Sequence, residues 1–267
     1  MMVGGGNRYP AFIGALQAIE ESGMRTAKIV ASSTGAIVAS LYAAGCTPRE
    51  LLDHSLSLDS SRFKDVSLRS LIRNYGLCSG KALESWLESK LESRTFSSEL
   101  RVPLEIVATD MIKYRPVIFS RDTFADLSIA TAAAASTHIP GVFGYRALEY
   151  GTRKYALVDG SLMTGIVEGR MDRSLKTLVV KVMSKRTLKR NSAKPLTFRK
   201  YLHEMLTFSL HAQEKEFLKG GKWKDTILIY CSEISPSIFS LTSDEKKFLY
   251  EQGYEQTKKY LEYKWGV

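Results

Sequence analysis

The apolar positions of this chain alternate between helical spacing and the short continuous runs that are typical of buried strands. Helical spacing predicts helices over residues 10–22, 34–44, 81–93, 125–136 and 198–219, with further helices that begin at Thr47-Pro48 and near residue 242. Short apolar runs predict strands at residues 27–31, 104–108, 116–119, 155–158, 177–182 and 227–230. Strands and helices in alternation favour an α/β architecture with a mostly parallel sheet.

Local signals mark the ends of several of these helices. Gly23 and Gly45 follow two of the helical stretches, and glycine readily ends a helix. Thr242 and Glu245 have the spacing of a capping box, which predicts the start of the last helix. The chain contains no internal repeat and no clear linker. We therefore expect a single domain over residues 1–267, with a basic loop at about 183–197 and a helical C-terminal part at 198–267.

Composition places the chain among ordinary globular proteins. Of its 267 residues, 44% are apolar and 25% are charged, which excludes a disordered or collagen-like chain. Cys46, Cys78 and Cys231 are too few and too scattered for a disulfide framework or a thiolate zinc site, so we expect a reducing, cytoplasmic compartment. No apolar stretch reaches the roughly 18 residues that a membrane-spanning helix needs, and the first residues lack the order of a signal peptide.

The charge of the chain is positive and unevenly distributed. Lys and Arg number 38 against 28 for Asp and Glu, a formal charge of +10, which favours anionic partners such as a phospholipid surface. Residues 181–200 contain eight of the basic residues and no acid. We interpret this segment as a loop that is either simply solvated or in peripheral contact with an anionic membrane. The residues expected to make that contact are Lys185, Arg186, Lys189 and Arg190. Nucleic acid is not expected as a partner, because Phe198 is the only aromatic residue in the segment.

A candidate nucleophile lies between a predicted strand and a predicted buried helix. Residues 31–35 read Ala-Ser-Ser-Thr-Gly and nearly match G-x-S-x-G, with Ala31 in the place of the first glycine. A tight strand-to-helix turn lifts the central serine above the sheet, and small residues on either side, here Ala31 and Gly35, let the backbones pass. The helix N-terminus adds positive potential where a tetrahedral oxyanion would form. Ser33 is the candidate, although strings of this kind also act as plain helix caps.

A glycine run opens the chain just before the first predicted helix. Gly4, Gly5 and Gly6 are followed two residues later by Arg8. The run is not a dinucleotide fingerprint, because the position of the third glycine holds Tyr9, and no Gly-Lys-Ser/Thr follows to make a Walker loop. Exposed backbone N–H groups at a helix N-terminus are suited to hold an anion or a transient oxyanion. The alternative is a flexible tail.

A candidate base follows the predicted strand at residues 155–158. Asp159 heads the sequence Asp-Gly-Ser, and an aspartate at a strand end is well placed to accept a proton from a nucleophile or to orient it. Asp-Gly pairs are also common in plain turns. A partly desolvated aspartate within about 3 Å of a serine oxygen can activate it without a histidine or a metal.

Two rival constellations are weaker. A Ser-Asp-His triad would recruit His203 or His211, but both lie in a predicted helix beside glutamates, as expected of surface positions. Residues 76–80 formally fit G-x-C-x-G, which would make Cys78 a nucleophile. No clear strand precedes that pentapeptide, so we interpret it as a loop that caps the next helix.

Together, these motifs resemble the patatin-like phospholipases, a family of lipid acyl hydrolases. In that family a Gly-Gly-Gly-x-Arg loop supplies the oxyanion hole, the serine of G-x-S-x-G is the nucleophile, and the aspartate of Asp-Gly-Gly or Asp-Gly-Ala completes a Ser/Asp dyad. Residues 4–23, 34–45, 102–110 and 135–143 also have the texture of the family. The resemblance covers about residues 1–170 and is weaker beyond.

The resemblance implies a three-layer α/β/α patatin-like fold with a mostly parallel central sheet. It implies that Ser33 is the nucleophile, that Asp159 is its base, and that the backbone N–H groups of Gly5 and Gly6, with Gly4 and Arg8, form the oxyanion loop. Neither a cofactor nor a metal is expected. The implied function is hydrolysis of ester bonds in phospholipids or related lipids. The alternatives are an acyltransferase of the same fold, or a non-catalytic relative that binds lipid or protein.

The chain departs from the family pattern at several positions. Tyr9 replaces the glycine commonly found after the arginine, and Ala31 replaces a glycine in the serine motif. Ser161 replaces the last small residue of the aspartate motif, and residues 163–165 read Met-Thr-Gly where asparagine is usual. Three residues precede Gly4 where the family has a full strand, so we expect a shortened central strand.

Overall fold

The computed structural model describes residues 1–66, 72, 75–163, 165, 177–183, 225–232, 234 and 240–267. Its strands are β1 (Met2–Val3), β2 (Ile29–Ser32), β3 (Leu104–Asp110), β4 (Arg115–Phe119), β5 (Arg146–Tyr150), β6 (Arg153–Val158), β7 (Val179–Met183) and β8 (Thr226–Tyr230). The α-helices within these ranges are α1 (Pro10–Glu21), α2 (Thr34–Ala43), α3 (Pro48–Ser57), α4 (Lys81–Leu91), α5 (Ile129–Ser136) and α6 (Ser243–Trp265). Short 3-10 helices cover Gly6–Arg8, Ser60–Phe63 and Gly160–Met163.

The strands form one mixed sheet in the order β5-β6-β3-β2-β1-β7-β8, with β4 also paired to β3. From β3 to β8 every pair in this order is parallel, whereas β4 and β6 run antiparallel to β3, and β5 runs antiparallel to β6. The predicted α/β fold with a mostly parallel central sheet is confirmed.

The register of β3 brings two strand ends together. Ser32, the last residue of β2, pairs with Val107, and Val158, the last residue of β6, pairs with Thr109. Because β2 runs parallel to β3 and β6 runs antiparallel to it, the residue that follows β2 and the residue that follows β6 both lie level with the one β3 residue between Val107 and Thr109. These two residues are Ser33 and Asp159.

The central strand β1 is only two residues long, as expected. Met2 pairs with Ala31 on one side and Val180 on the other, and Val3 pairs with Ser32 and Lys181. Both β1 residues are buried, so even this short strand joins the two halves of the sheet.

Both faces of the sheet are covered. Ile29 and Ala31 belong to the large apolar core, together with side chains of α1 and α2. Their neighbour Val30 points to the other face and packs there with Val107, and both are buried. Strands buried on both faces are characteristic of parallel sheets enclosed between layers.

Some element boundaries differ from the prediction for local reasons. The alanine-rich helix α5 starts at Ile129 rather than at residue 125, because the Ser128 hydroxyl accepts hydrogen bonds from the N–H groups of Ala130 and Thr131 and caps the helix there. The strand β2 runs one residue beyond the predicted end at Ala31. The strand β5 was not predicted, since its residues are only partly buried or exposed.

Parts of the prediction lie outside the described residues: the basic loop beyond Met183, with Lys185, Arg186, Lys189 and Arg190, and the helix over 198–219, with His203 and His211. Among the helices that the structure does describe, none is both long and apolar enough to cross a membrane.

Candidate active site

Ser33 occupies a strained turn between β2 and α2. Its backbone has φ 55° and ψ −138°, a conformation that residues other than glycine rarely adopt. The Ser33 N–H donates to the hydroxyl of Ser136 at 2.8 Å, and that hydroxyl donates to the carbonyl of Val107 at 2.5 Å. Ser136 therefore links the turn to β3 and helps to hold it in this shape. A serine in such a strand-to-helix turn is presented at the carboxyl edge of the sheet.

Close packing of the backbone requires a glycine after the turn, at residue 35. A Cβ atom on Gly35 would lie 2.8 Å from the carbonyl oxygen of Met2, so a side chain there would push α2 away from β1. Ala31 is fully buried, and its methyl group packs in the core. The alanine in the place of the usual glycine is thus accommodated.

Asp159 faces Ser33 across the strand ends. The Ser33 Oγ donates a 2.7 Å hydrogen bond to Asp159 Oδ2, although the two residues are 126 positions apart in sequence. The Asp159 backbone is fixed from two sides, because its N–H donates to the carbonyl of His138 at 2.9 Å and its carbonyl accepts from Thr109 Oγ1 at 2.9 Å. Asp159 and Ser33 are each 2% exposed, so the pair is shielded from bulk water.

Gly160 allows Asp159 to reach this position. A Cβ atom at residue 160 would lie 1.8 Å from the carbonyl oxygen of Val107, which is far inside van der Waals contact. The glycine of the Asp-Gly pair therefore permits the close approach of the chain after β6 to β3.

Burial dominates the electrostatics of Asp159. Loss of hydration raises the pKa of this carboxyl above its usual value, while hydrogen bonds from Ser161 and Ser33 act in the opposite direction. A carboxylate of raised pKa is a stronger base than an exposed one, and so it is better matched to accept a proton from a serine hydroxyl.

The glycine run is an ordered loop rather than a flexible tail. Gly4, Gly5 and Gly6 all have positive φ, at 66°, 103° and 56°, which three consecutive non-glycine residues could not share. The loop lies against the serine turn, because the Thr34 hydroxyl donates to the carbonyl of Gly4 at 2.9 Å. Within the described part of the chain, no hydrogen bond occupies the N–H groups of Gly5 and Gly6.

Arg8 holds this loop from inside the protein. Its side chain is 2% exposed, and its Nε donates to the carbonyl of Gly5 at 3.0 Å. A terminal nitrogen donates to the carbonyl of Val182 in β7 at 3.1 Å. The guanidinium thus acts on the loop backbone and ties it to the sheet.

Tyr9 has a structural place in the core. Its ring is 9% exposed, and its hydroxyl accepts a hydrogen bond from Ser55 of α3 at 3.1 Å. The tyrosine therefore anchors the junction between the glycine loop and α1.

Two site residues were missed from the sequence, Thr34 and Ser136. Thr34 lies inside the serine motif, where a hydroxyl beside the nucleophile was the available signal. Ser136 is the last residue of the alanine-rich helix α5, and its one signal in the sequence is its place in a stretch that resembles the family. The contact of each residue depends on a distant segment, which no local pattern reports.

The rival Cys78 lacks the features of a nucleophile. It is buried in a loop, and its backbone N–H donates to the carbonyl of Val142 at 2.8 Å. Burial, with a smaller contribution from Asp65, raises the pKa of the Cys78 thiol to about 11, so the thiol stays protonated at neutral pH. No group of three or more potential metal ligands is found in the part of the chain that the structure describes.

Comparison with known proteins gives a consistent picture. The sequence model of the family described as Patatin-like phospholipase matches residues 1–167. The uncharacterized protein YqhO of Bacillus subtilis is 23% identical over 279 residues, covering 97% of this chain and 96% of YqhO.

Solved structures that share the fold include those of VipD and ExoU. VipD from Legionella pneumophila matches 98% of this chain with a TM-score of 0.63 and 17% identity. ExoU of the Pseudomonas aeruginosa type III secretion system, solved in complex with SpcU, matches 100% of this chain with a TM-score of 0.58 and 17% identity. The matched region is 66% of the VipD chain and 52% of the ExoU chain. At these identities the likeness concerns the fold alone.

Proposed function

This chain belongs to the patatin-like phospholipase family, and from that membership we propose that it is a serine acyl hydrolase that cleaves ester bonds of phospholipids or related lipids. Family membership supports lipid hydrolysis in general. The observation that carries the finer proposal is the buried 2.7 Å hydrogen bond from Ser33 Oγ to Asp159 Oδ2. It joins a strained serine to a carboxylate whose basicity is raised by burial.

The first half of the proposed reaction transfers the acyl group to Ser33. As Ser33 Oγ attacks the ester carbonyl carbon, its proton passes to Asp159 Oδ2. The carbonyl oxygen becomes an oxyanion that can accept hydrogen bonds from the N–H groups of Gly5 and Gly6. When the tetrahedral intermediate collapses, the bond to the leaving alkoxide breaks, and the alkoxide takes the proton from Asp159.

The second half regenerates the enzyme. Asp159 takes a proton from a water molecule as the water oxygen attacks the acyl carbon. The new oxyanion uses the same N–H groups, and its collapse breaks the bond to Ser33 Oγ. Ser33 recovers a proton from Asp159, and the fatty acid leaves.

Peripheral contact with a membrane is part of this proposal. The excess of basic residues over acidic ones supports attraction to an anionic lipid surface, and Lys185, Arg186, Lys189 and Arg190 are the proposed contacts. We also propose a cytoplasmic location, which the small number and the scatter of the cysteines in the sequence support.

Covalent labelling of the folded protein with a fluorophosphonate tests the proposal without a guess about the substrate. We expect a mass-mapped adduct on Ser33 that is lost in Ser33→Ala and strongly slowed in Asp159→Asn. Ser89→Ala, which removes an exposed serine in α4, is the matched control and should label normally.

Lipid assays then separate the alternatives. Fatty acid release from phospholipid vesicles supports the hydrolase, whereas product that forms only with an added alcohol acceptor indicates an acyltransferase. A folded protein that retains lipid but gives no adduct on Ser33 would overturn the proposal in favour of a non-catalytic relative.

A further inference from the structure

The turn between β3 and β4 carries an exposed apolar tip. Met111, Ile112 and Tyr114 are 48%, 62% and 82% exposed. Surface turns are normally polar, because their backbone groups face water and their side chains bury little area. Three large apolar side chains within four exposed residues therefore mark a surface that meets an apolar partner.

The backbone of this tip supports a role for the side chains themselves. Tyr114 has φ 48°, a conformation that glycine or asparagine would adopt with less strain. The Ile112 N–H is held by Asp110 Oδ1 at 3.0 Å, and the Met111 N–H is held by the carbonyl of Ala156 at 2.9 Å. The turn is thus fixed in a shape that directs exposed apolar groups outward.

The charges around the tip match an anionic surface. Lys113 lies within the turn and Arg115 follows it, and both are exposed. The preceding acid, Asp110, is fully buried at the end of β3. Apolar side chains flanked by cations fit the boundary between the headgroups and acyl chains of a bilayer that contains anionic phospholipid.

The tip also lies beside the Ser33–Asp159 pair. It follows the carboxyl end of β3, and Thr109 of that strand donates to the Asp159 carbonyl. The short helix Gly160–Met163, directly after Asp159, packs on β3 and β4 and exposes 39% of Leu162. A lipid surface in contact with the tip would therefore lie next to the site.

We propose that residues 111–114 form an interfacial anchor, which inserts Met111, Ile112 and Tyr114 into a phospholipid surface and brings the Ser33–Asp159 site to its substrate. This inference rests on the proposed function for the identity of the substrate. The anchoring itself needs no catalysis.

Vesicle sedimentation of the Ser33→Ala protein tests the anchor without hydrolysis. The probe is a phosphatidylcholine vesicle with about one-third phosphatidylserine, because the proposed partner carries anionic headgroups. In this background the double change Ile112→Ser and Tyr114→Ser should weaken binding by about tenfold, since it removes most of the inserted apolar area. Tyr263→Ser is the matched control, because Tyr263 is 91% exposed near the end of α6, and it should change binding by less than about twofold.

A second measurement reports insertion directly. Vesicles with brominated acyl chains should quench the fluorescence of the tryptophan that Tyr114→Trp introduces. They should not quench the fluorescence of the tryptophan that Tyr263→Trp introduces. Equal vesicle binding by the double variant and the control, or no difference in quenching, would overturn the anchor. If vesicle binding depends on residues 111–114 but fluorophosphonate does not label Ser33, the proposed membrane anchor stands and the proposed hydrolase activity is rejected.

Discussion

Ser161 donates two hydrogen bonds to the same carboxylate oxygen of Asp159, from its backbone N–H at 2.8 Å and from its hydroxyl at 2.6 Å. Both bonds end on Oδ1, which leaves Oδ2 directed at Ser33. The residue that departs from the family's Asp-Gly-Gly or Asp-Gly-Ala pattern thus contributes a hydrogen bond that glycine or alanine could not make.

Removal of this hydroxyl should change the pH dependence of the reaction. A hydrogen bond to a carboxylate stabilises its charged form, so Ser161→Ala should raise the pKa of Asp159 further. We expect the acid limb of the profile of kcat/KM against pH to move to higher pH, with a fall of about three- to tenfold in kcat. Ser161→Thr keeps the hydroxyl and should restore the profile. An acid limb that stays in place in Ser161→Ala would show that the bond does not act on the base.

Neutralisation of Asp159 should stabilise the protein while it removes activity. Burial raises the pKa of this carboxyl in the folded state. The stability that the protonated carboxyl contributes is therefore fully present below the usual aspartate pKa of about 3.9, and it is lost as pH rises through the folded-state pKa of Asp159. At pH 7, Asp159→Asn should therefore increase the free energy of unfolding by on the order of 1 kcal/mol.

Thermal melts at several pH values check this expectation. The Tm of Asp159→Asn should exceed that of the wild type at pH 7 and should approach it in acid. Asp122→Asn, a change at an exposed carboxylate, should give no such trend. A variant less stable than the wild type at pH 7 would contradict the assignment of burial as the dominant influence.

The strain at Ser33 should be measurable by comparing two variants that both lack the hydroxyl. Glycine adopts φ 55° and ψ −138° without the clash that Cβ causes, so Ser33→Gly should be more stable than Ser33→Ala by about 1 kcal/mol. Urea unfolding of the two proteins gives the difference. The same pair at Ser89, inside α4, should show the opposite order, because glycine destabilises helix interiors. If alanine is favoured at both positions, the turn stores no strain.

Cys78 should be dispensable for any acyl transfer. Its thiol is buried and protonated at neutral pH, so Cys78→Ala should leave fluorophosphonate labelling of Ser33 within about twofold of the wild-type rate. Iodoacetamide should modify the half-buried Cys46 before Cys78 in the native protein. Preferential modification of Cys78 with loss of Ser33 labelling would reverse this conclusion.

The parts of the fold that local chemistry determines could be predicted from the sequence. The apolar run before the serine motif forms β2, and the Thr242 and Glu245 pair makes both hydrogen bonds of the capping box that opens α6. The start of α3 at Thr47-Pro48 is capped in the same reciprocal way by Glu50. Each of these signals acts within a few residues, so spacing alone reports it.

Features that depend on distant contacts could not be predicted. Two residues, Met2 and Val3, are too few to show a strand pattern, so the short strand that they form at the centre of the sheet was expected from the family resemblance and not from apolar spacing. The strand β6 pairs antiparallel with β3, and this pairing between distant segments directs Asp159 toward Ser33. For the same reason the family resemblance could suggest the pair Ser33 and Asp159, but not the supporting hydrogen bonds that Ser33 donates to Ser136 and that Asp159 accepts from Thr109.

The site can form only after both β2 and β6 have paired with β3, so its activity depends on the folding of this part of the sheet. The serine arrives with the first parallel strands, whereas its carboxylate, 126 residues further along the chain than Ser33, arrives only after β3 has paired with β6. Contacts of such long sequence separation are slow to form, because the loop must close before they bring any gain. A partly folded chain would have Ser33 without Asp159 beside it, so the serine would remain unreactive until β6 has paired with β3.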